Sequence, residues 1–86
     1  MSLSSEVRNI LNIIAELAQN DTDRDVIESS IIARSALPDF DVQNSLNELR
    51  SRGLVREVLP RPAGVEFKLW RVTEYGLNAL REQDLR

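Results

Sequence analysis

Residues 68–82, KLWRVTEYGLNALRE, place a strand and a helix next to each other with no loop between them. Leu69, Trp70 and Val72 are the bulky side chains that a β-strand favours. Thr73 is a residue type that caps helices, and the sequence after it is suited to a helix. The stretch therefore predicts a strand that ends at Val72 and a helix that begins directly after Thr73.

The residues before this stretch supply a partner for the strand. Residues 54–59, LVREVL, predict a first strand, and residues 60–64, PRPAG, predict a turn. Residues 65–72 are then expected to return antiparallel to 54–59. Pro60 and Pro62 stiffen the turn and keep further strands from pairing there. The sequence thus predicts a β-hairpin that leads straight into the last helix.

An amphipathic helix opens the chain. It is expected to begin at a cap provided by Ser4 or Ser5 and to end at about Gln19. Apolar side chains fall within about 120° of one another around it. Because this stripe is wider than a small core requires, we expect part of it, with the last helix beside it, to face a second copy of the chain. The stripe comprises Leu3, Val7, Ile10, Leu11, Ile14, Leu17 and Ala18, with Ile13 at its border. The residues assigned to the dimer surface are Leu3, Val7, Ile10, Ile13 and Ile14.

Two shorter elements follow the acidic loop at residues 20–25. Residues 25–28 are β-prone and predict a short strand. A brief second helix is expected over residues 31–37, with Ser29 or Ser30 as its cap.

The third helix is bounded by a proline turn and a glycine. Pro38 ends the second helix, because the residue before a proline resists the helical region. Asp39 or Asp41 is expected to cap a third helix over residues 42–52. Gly53 then supplies the left-handed conformation in which helices commonly end.

Two stretches resemble a known family. SALPDFDVQNSLNELRSRGLVREV, residues 35–58, is similar to the turn, recognition helix and first wing strand of MarR-, ArsR- and PadR-type regulators. WRVTEYGLNAL, residues 70–80, resembles the aromatic–x–hydrophobic–Thr–x–x–Gly signature that closes the wing in the same families. The resemblance implies a winged helix–turn–helix, an α+β and mostly α-helical fold. It has a three-helix core with a short strand, a β-hairpin wing and a C-terminal helix. We expect a single domain over residues 1–86.

The composition excludes several classes of function. The chain has no cysteine and no histidine, which excludes thiolate zinc sites, disulfides and histidine-based acid–base catalysis. No apolar run approaches the roughly 18 residues of a membrane span, and no secretory signal pattern is present. No cofactor motif or nucleophile–base pair occurs, and the chain is too short to enclose a substrate. We therefore expect a cytoplasmic protein that is not an enzyme and has no cofactor, metal or membrane partner.

Charge is distributed unevenly along the chain. The net charge is −3, which by itself weakens the case for a nucleic-acid partner. Residues 1–48 hold three arginines and nine acids, a net charge of −6, whereas residues 49–86 hold eight bases and five acids, a net charge of +3. From Arg50 to Arg71 six bases face two acids, a net charge of +4. The basic charge is thus concentrated around the predicted hairpin.

The third helix has one apolar and one polar face. Val42, Leu46 and Leu49 are expected in the core. Amides pair bidentately with adenine, and arginine pairs with guanine or phosphate, so a face of amides and arginine suits the major groove. A face that is merely solvated would more often carry lysine and glutamate, and such a surface is the alternative. The resemblance implies that 41–52 is the recognition helix. The candidate DNA-binding residues on it are Gln43, Asn44, Asn47, Arg50 and Ser51.

The predicted hairpin adds two further candidate DNA-binding residues, Arg61 and Lys68. Arg61 lies between two prolines at the tip, where it is placed to enter a minor groove or to touch a phosphate. Arg56 and Arg71 are expected to supply further phosphate contacts. The alternative is that a charged tip only protects the edge of the hairpin.

Aromatic and glycine residues have simpler interpretations. Trp70 and Tyr75 are expected to pack in the core or wing, and Gly53 and Gly76 to serve backbone conformation and close packing.

Two functions follow. The first is a regulator that binds double-stranded DNA as a homodimer, because one recognition helix gives little affinity and two half-sites give more. The second is a protein-interaction winged helix in a transcription, replication or sorting assembly. The acidic first half and an expected exposed alternation of Phe67 and Leu69 favour the second. The charge and polarity of the surface over the third helix and hairpin distinguish them.

Overall fold

A computed structural model describes residues 3–84. It confirms the predicted order of elements and the α+β, mostly helical class. The elements are α1 (Ser5–Leu17), β1 (Val26–Ile27), α2 (Glu28–Ser35), α3 (Asp39–Ser51), β2 (Val55–Glu57), β3 (Leu69–Val72) and α4 (Glu74–Asp84).

Helix α1 begins as predicted and forms the centre of the core. The Ser4 hydroxyl oxygen accepts a hydrogen bond from the Val7 backbone N–H at 3.2 Å, which caps the helix. Ile10, Leu11 and Ile14 are fully buried where α2, α3, α4 and β3 pack on the helix. Burial of such side chains stabilises a fold by roughly 1.5–3 kcal/mol each.

Helix α2 begins earlier than predicted, at Glu28, and neither Ser29 nor Ser30 caps it. The sheet fixes this start. The Glu28 N–H donates to the carbonyl of Lys68 at 3.0 Å. The Glu28 carboxylate accepts a hydrogen bond from Trp70 Nε1 at 3.0 Å. The chain therefore passes from β1 into α2 without a loop, and the serines lie inside the first turn of the helix.

Helix α3 also begins earlier than predicted, at Asp39. Pro38 occupies the capping position, and its carbonyl accepts from the Asp41 and Val42 N–H groups at 3.0 and 3.2 Å. Neither aspartate caps the helix with its side chain. Asp39 and Asp41 instead lie in the first turn, where the helix dipole favours their negative charge.

The end of α3 agrees with the prediction. Gly53 has a φ of +75°, in the left-handed region that glycine adopts readily. The N–H groups of Gly53 and Leu54 donate to the carbonyls of Arg50 and Leu49, both at 3.0 Å. These are the two bonds of a Schellman helix end, and they turn the chain directly into β2.

The predicted hairpin is present within a three-stranded antiparallel sheet of order β1–β3–β2. Its strands are shorter than the predicted 54–59 and 65–72. The last bond of the ladder toward the tip is from the Val58 N–H to the Leu69 carbonyl, at 2.9 Å. In an antiparallel ladder every second residue exchanges bonds with its partner, so residues 60 and 62 are the next donors required. Both are prolines and lack the N–H, which explains why the ladder stops.

Thr73 joins the end of the hairpin to the start of α4, as predicted. Its hydroxyl oxygen accepts from the Gly76 N–H at 3.1 Å and caps the helix. The same hydroxyl donates to the Gly53 carbonyl at 2.7 Å. The Thr73 N–H donates to the Leu54 carbonyl at 3.1 Å. Thr73 therefore holds the ends of α3, β3 and α4 together.

Gly76 allows α4 to approach this junction. A Cβ atom added at Gly76 would lie 2.3 Å from the Leu54 carbonyl oxygen, 3.0 Å from Val72 Cγ2 and 3.2 Å from Leu11 Cδ1. The first distance is shorter than any tolerated contact, and the atom it involves belongs to the backbone. The prediction that Gly76 serves close packing is confirmed.

Two expectations about exposure were wrong. Trp70 is buried as expected, but Tyr75 is 75% exposed, because the neighbouring Gly76 and Leu77 occupy the side of α4 that faces the core. Phe67 and Leu69 do not form an exposed pair. Leu69 is buried beside Ile27 of β1, its register partner, and only Phe67 is exposed.

We predict that Gly76→Ala lowers the free energy of unfolding by roughly 1–3 kcal/mol, the usual effect of overpacking. Helix propensity acts in the opposite direction, since alanine is the better helix former, so a net decrease reports the close contact with Leu54. Chemical denaturation measures the change. Asn78→Ala, at an exposed position of α4, should stay within about 0.5 kcal/mol of the parent. A Gly76→Ala protein as stable as the parent would contradict the packing.

Candidate nucleic-acid interface

Helix α3 separates its apolar and polar side chains as predicted. Val42, Leu46 and Leu49 are fully buried against the rest of the core. The five candidate DNA-binding residues of this helix, Gln43, Asn44, Asn47, Arg50 and Ser51, are all exposed. The structure thus brings them together on one accessible surface, which we call the α3 face.

Hydrogen bonds orient part of the α3 face. Arg50 Nη2 donates to Asn47 Oδ1 at 3.3 Å, and Arg50 Nη1 lies 3.4 Å from Glu57 Oε1 on β2. Arginine has donors only, so the amide of Asn47 must turn its oxygen toward it. The Asn47 NH₂ group is left to point away from Arg50, which suits hydrogen-bond acceptors on a ligand.

The remaining polar residues of the α3 face differ in whether their side chains are already hydrogen-bonded. The Ser51 hydroxyl donates to the Glu48 carbonyl at 2.8 Å, so its proton is used within the helix. Gln43 and Asn44 have no hydrogen-bond partner for their amides among residues 3–84. Their donors and acceptors are available to a ligand without breaking an internal bond.

Arg61 and Lys68 of the hairpin are both exposed. Arg61 Nη1 donates to the Glu66 carbonyl at 2.7 Å, which holds the guanidinium against the opposite side of the hairpin. Neither residue has a carboxylate partner within the described part of the chain, and Arg56 has none either. These three side chains keep their positive charge uncompensated.

Arg71 differs from the expectation that it is a phosphate contact. Its guanidinium bonds to Asp25 and lies 3.9 Å from Asp23. The physical reason is the strand register, which sets Arg71 directly opposite Arg56. Like charges opposite each other destabilise a sheet, and the acidic loop neutralises one of the two. Arg71 is therefore occupied within the fold.

Phe40 also lies on the α3 face and was not among the predicted site residues. It is 69% exposed. The signal was available, because Phe40, Asn44, Asn47 and Ser51 follow one another at spacings of four, three and four residues. These spacings place them on one side of a helix.

Four of the five residues assigned to a dimer surface are buried within the single chain. Val7 is 6% exposed, Ile13 7%, and Ile10 and Ile14 are fully buried. The wide apolar stripe is therefore used by the chain's own core, and these side chains offer almost no surface to a partner. Leu3 is partly buried. A groove beside α1 is lined by Ser5, Glu6, Arg8, Asn9, Asn12, Leu37 and Leu80.

Membrane-spanning helices and clusters of metal-ligating side chains are not found over residues 3–84. No helix there is long and apolar enough to cross a membrane. No group of three or more acidic side chains within this range is placed to hold a metal ion.

Known proteins resemble the chain in structure only. No protein-family model matches the chain, and no curated protein matches its sequence. Solved structures do match. The zinc-responsive MarR family member ZitR of Lactococcus lactis superposes with a TM-score of 0.77 at 21% identity, over 99% of this chain and 54% of that one. The PcaV transcriptional regulator of Streptomyces coelicolor, solved with its natural ligand, gives 0.80 at 21% identity, over 99% and 55%.

Wild-type ZitR in complex with DNA also matches, with a TM-score of 0.73 at 19% identity, over 99% of this chain and 53% of that one. The chain therefore spans about half the length of the regulators it matches. Identities near 20% establish a shared fold. The chain has the winged helix–turn–helix fold found in MarR family regulators, with α3 in the place of the recognition helix and β2–β3 as the wing.

Proposed function

We propose that the chain is a transcription regulator that binds double-stranded DNA. In this proposal α3 enters the major groove, and the wing lies on the backbone or in the minor groove. The observation that carries it is the α3 face, where amide and arginine side chains are exposed beside a wing with three uncompensated cations. The structural match to ZitR in complex with DNA supports a DNA partner.

The charges of α3 and the wing favour different contacts for each, with base edges for α3 and phosphates for the wing. Asp39 and Asp41 make the start of α3 acidic, whereas Arg56, Arg61 and Lys68 make the wing basic. Phosphates therefore favour the wing, where each contact releases counterions. The α3 face then meets base edges, and base contacts rather than phosphate contacts distinguish one sequence from another.

The orientation of the Asn47 amide determines which atoms of a base it can pair with. With its oxygen turned to Arg50, Asn47 presents NH donors to the groove. Donors pair with purine N7, guanine O6 or thymine O4. Asn44 has both its donor and acceptor available, so it can form the bidentate pair with adenine. We assign these roles to Asn47 and Asn44 respectively.

A protein partner is the second candidate function. The exposed Leu59 and Phe67 on the wing, at 66% and 48%, favour it, as does the net charge of −3. The burial of Leu69, which breaks the expected Phe67–Leu69 pair, removes part of its basis. We favour DNA, because the free amides of α3 suit base edges and the uncompensated cations of the adjoining wing suit phosphates. We further propose that the chain has no catalytic role and acts in the cytoplasm.

We further propose that the chain binds DNA as a homodimer, which reads two half-sites. Leu37 and Leu80 line the groove beside α1, and with the partly buried Leu3 they offer apolar surface to a partner. Sedimentation equilibrium at tens of micromolar should give twice the mass of the chain. A monomer at that concentration would contradict the dimer.

Alanine variants distinguish residues that contact base edges from residues that contact phosphates. Asn44→Ala and Asn47→Ala should each weaken binding to a preferred site, selected from random duplexes, by roughly 1–3 kcal/mol. They should change binding to random DNA much less, because phosphates are the same in every sequence. Arg61→Ala and Lys68→Ala should weaken both kinds of binding similarly. They should also reduce the steepness of the plot of log K against log salt concentration by about 0.9 for each phosphate that is no longer neutralised.

Controls for this comparison lie on α4 and in the core. Asn78→Ala and Arg81→Ala remove an exposed amide and an exposed cation outside the interface, and both should bind like the parent. Leu46→Ala should unfold the domain, because its side chain is fully buried. Asparagine variants that fold and bind every duplex like the parent would contradict the proposal and favour a protein partner.

A further inference from the structure

Phe40 is the one large apolar side chain on the described α3 face. It is 69% exposed at the start of the helix, while Val42 two residues later is fully buried. The core on this side is already filled by Val42, Ser45, Leu46 and Leu49. Packing within the chain therefore does not explain a phenylalanine at position 40.

The position of Phe40 relative to the amides is informative. Asn44 is one turn further along the helix and Asn47 two turns, so the three side chains form one row. A row of this kind follows the base edges when a helix lies in the major groove. Asp39 and Asp41 on either side repel phosphates, which favours base edges rather than the backbone as neighbours of Phe40.

We propose that Phe40 contacts the C5-methyl group of a thymine in the major groove and makes the protein prefer thymine at that position. This inference rests on the proposed binding of DNA by α3. The thymine methyl is the apolar group that the major groove offers, and an aromatic side chain is suited to it. Phe40 thus adds apolar readout to the hydrogen bonds of Asn44 and Asn47.

Replacement of single thymines by deoxyuridine tests the contact, because it removes the methyl group and leaves the hydrogen-bonding edge intact. On a site selected from random duplexes, one such replacement should raise the Kd of the parent about fourfold, the effect of one apolar carbon returned to water. The Phe40→Ala protein should bind the thymine and deoxyuridine duplexes equally. Phe40→Leu retains an apolar side chain and should retain part of the discrimination.

Tyr75→Ala is the matched control, since Tyr75 is an aromatic residue of similar exposure on α4. It should keep the full effect of deoxyuridine. Phe40→Ala should also keep the parent's denaturation midpoint within the range of surface substitutions, because most of the side chain is exposed.

The possible failures are distinguishable. If the parent selects a site and no deoxyuridine replacement weakens its binding, the Phe40 inference is overturned and the proposed function stands. If Phe40→Ala keeps the fourfold effect, another residue contacts the methyl and the inference is again overturned. If the parent selects no sequence from the pool, the proposed function fails and this inference fails with it.

Discussion

The hydroxyl of Thr73 makes the contacts on which the arrangement of the interface depends. It accepts from the Gly76 N–H and donates to the Gly53 carbonyl, while the Thr73 N–H bonds to Leu54. The end of α3, the base of the wing and the start of α4 are therefore fixed at one point. The absence of a Cβ at Gly76 completes this junction, because any side chain there would collide with the Leu54 carbonyl. The loop-free passage from strand to helix is the consequence: the chain caps α4 as soon as the wing returns to the core.

This junction fixes the wing relative to α3, and the wing in turn modifies the α3 face. Glu57 of β2 lies 3.4 Å from Arg50, which bonds to Asn47. The orientation of one candidate base-reading amide therefore depends on a strand residue of the wing. The charge of the wing likewise depends on contacts with another part of the chain. The acidic loop before β1 neutralises Arg71, so the uncompensated positive charge within residues 55–72 is carried by Arg56, Arg61 and Lys68. This local distribution reconciles a net charge of −3 with a basic interface.

The sequence was sufficient to predict the elements whose signals are local. Thr73, Gly53 and the apolar spacing of Val42, Leu46 and Leu49 specify a cap, a helix end and a core face, and the structure has all three. Predictions that depended on tertiary contacts were less successful. The start of α2 is set by the Glu28 N–H, which donates to Lys68, and by the Glu28 carboxylate, which accepts from Trp70; no local cap signal reveals these bonds. The stripe of α1 predicted a dimer surface because the sequence does not show that four elements of the same chain pack on it. The ion pairs of Arg71 were likewise hidden, because its partners lie 46 and 48 positions earlier in the chain.

In the proposed function, α3 and the wing together form the surface that meets DNA. Nuclear magnetic resonance of the ¹⁵N-labelled chain, titrated with a short duplex at low salt, tests this most directly. We predict that the side-chain amide signals of Gln43, Asn44 and Asn47 shift or broaden, together with backbone signals of α3 and the wing. Signals of the exposed side of α4 should stay in place. Perturbations confined to α1 and α4, or no perturbation at a duplex concentration well above that of the protein, would contradict a DNA-binding surface on α3 and the wing.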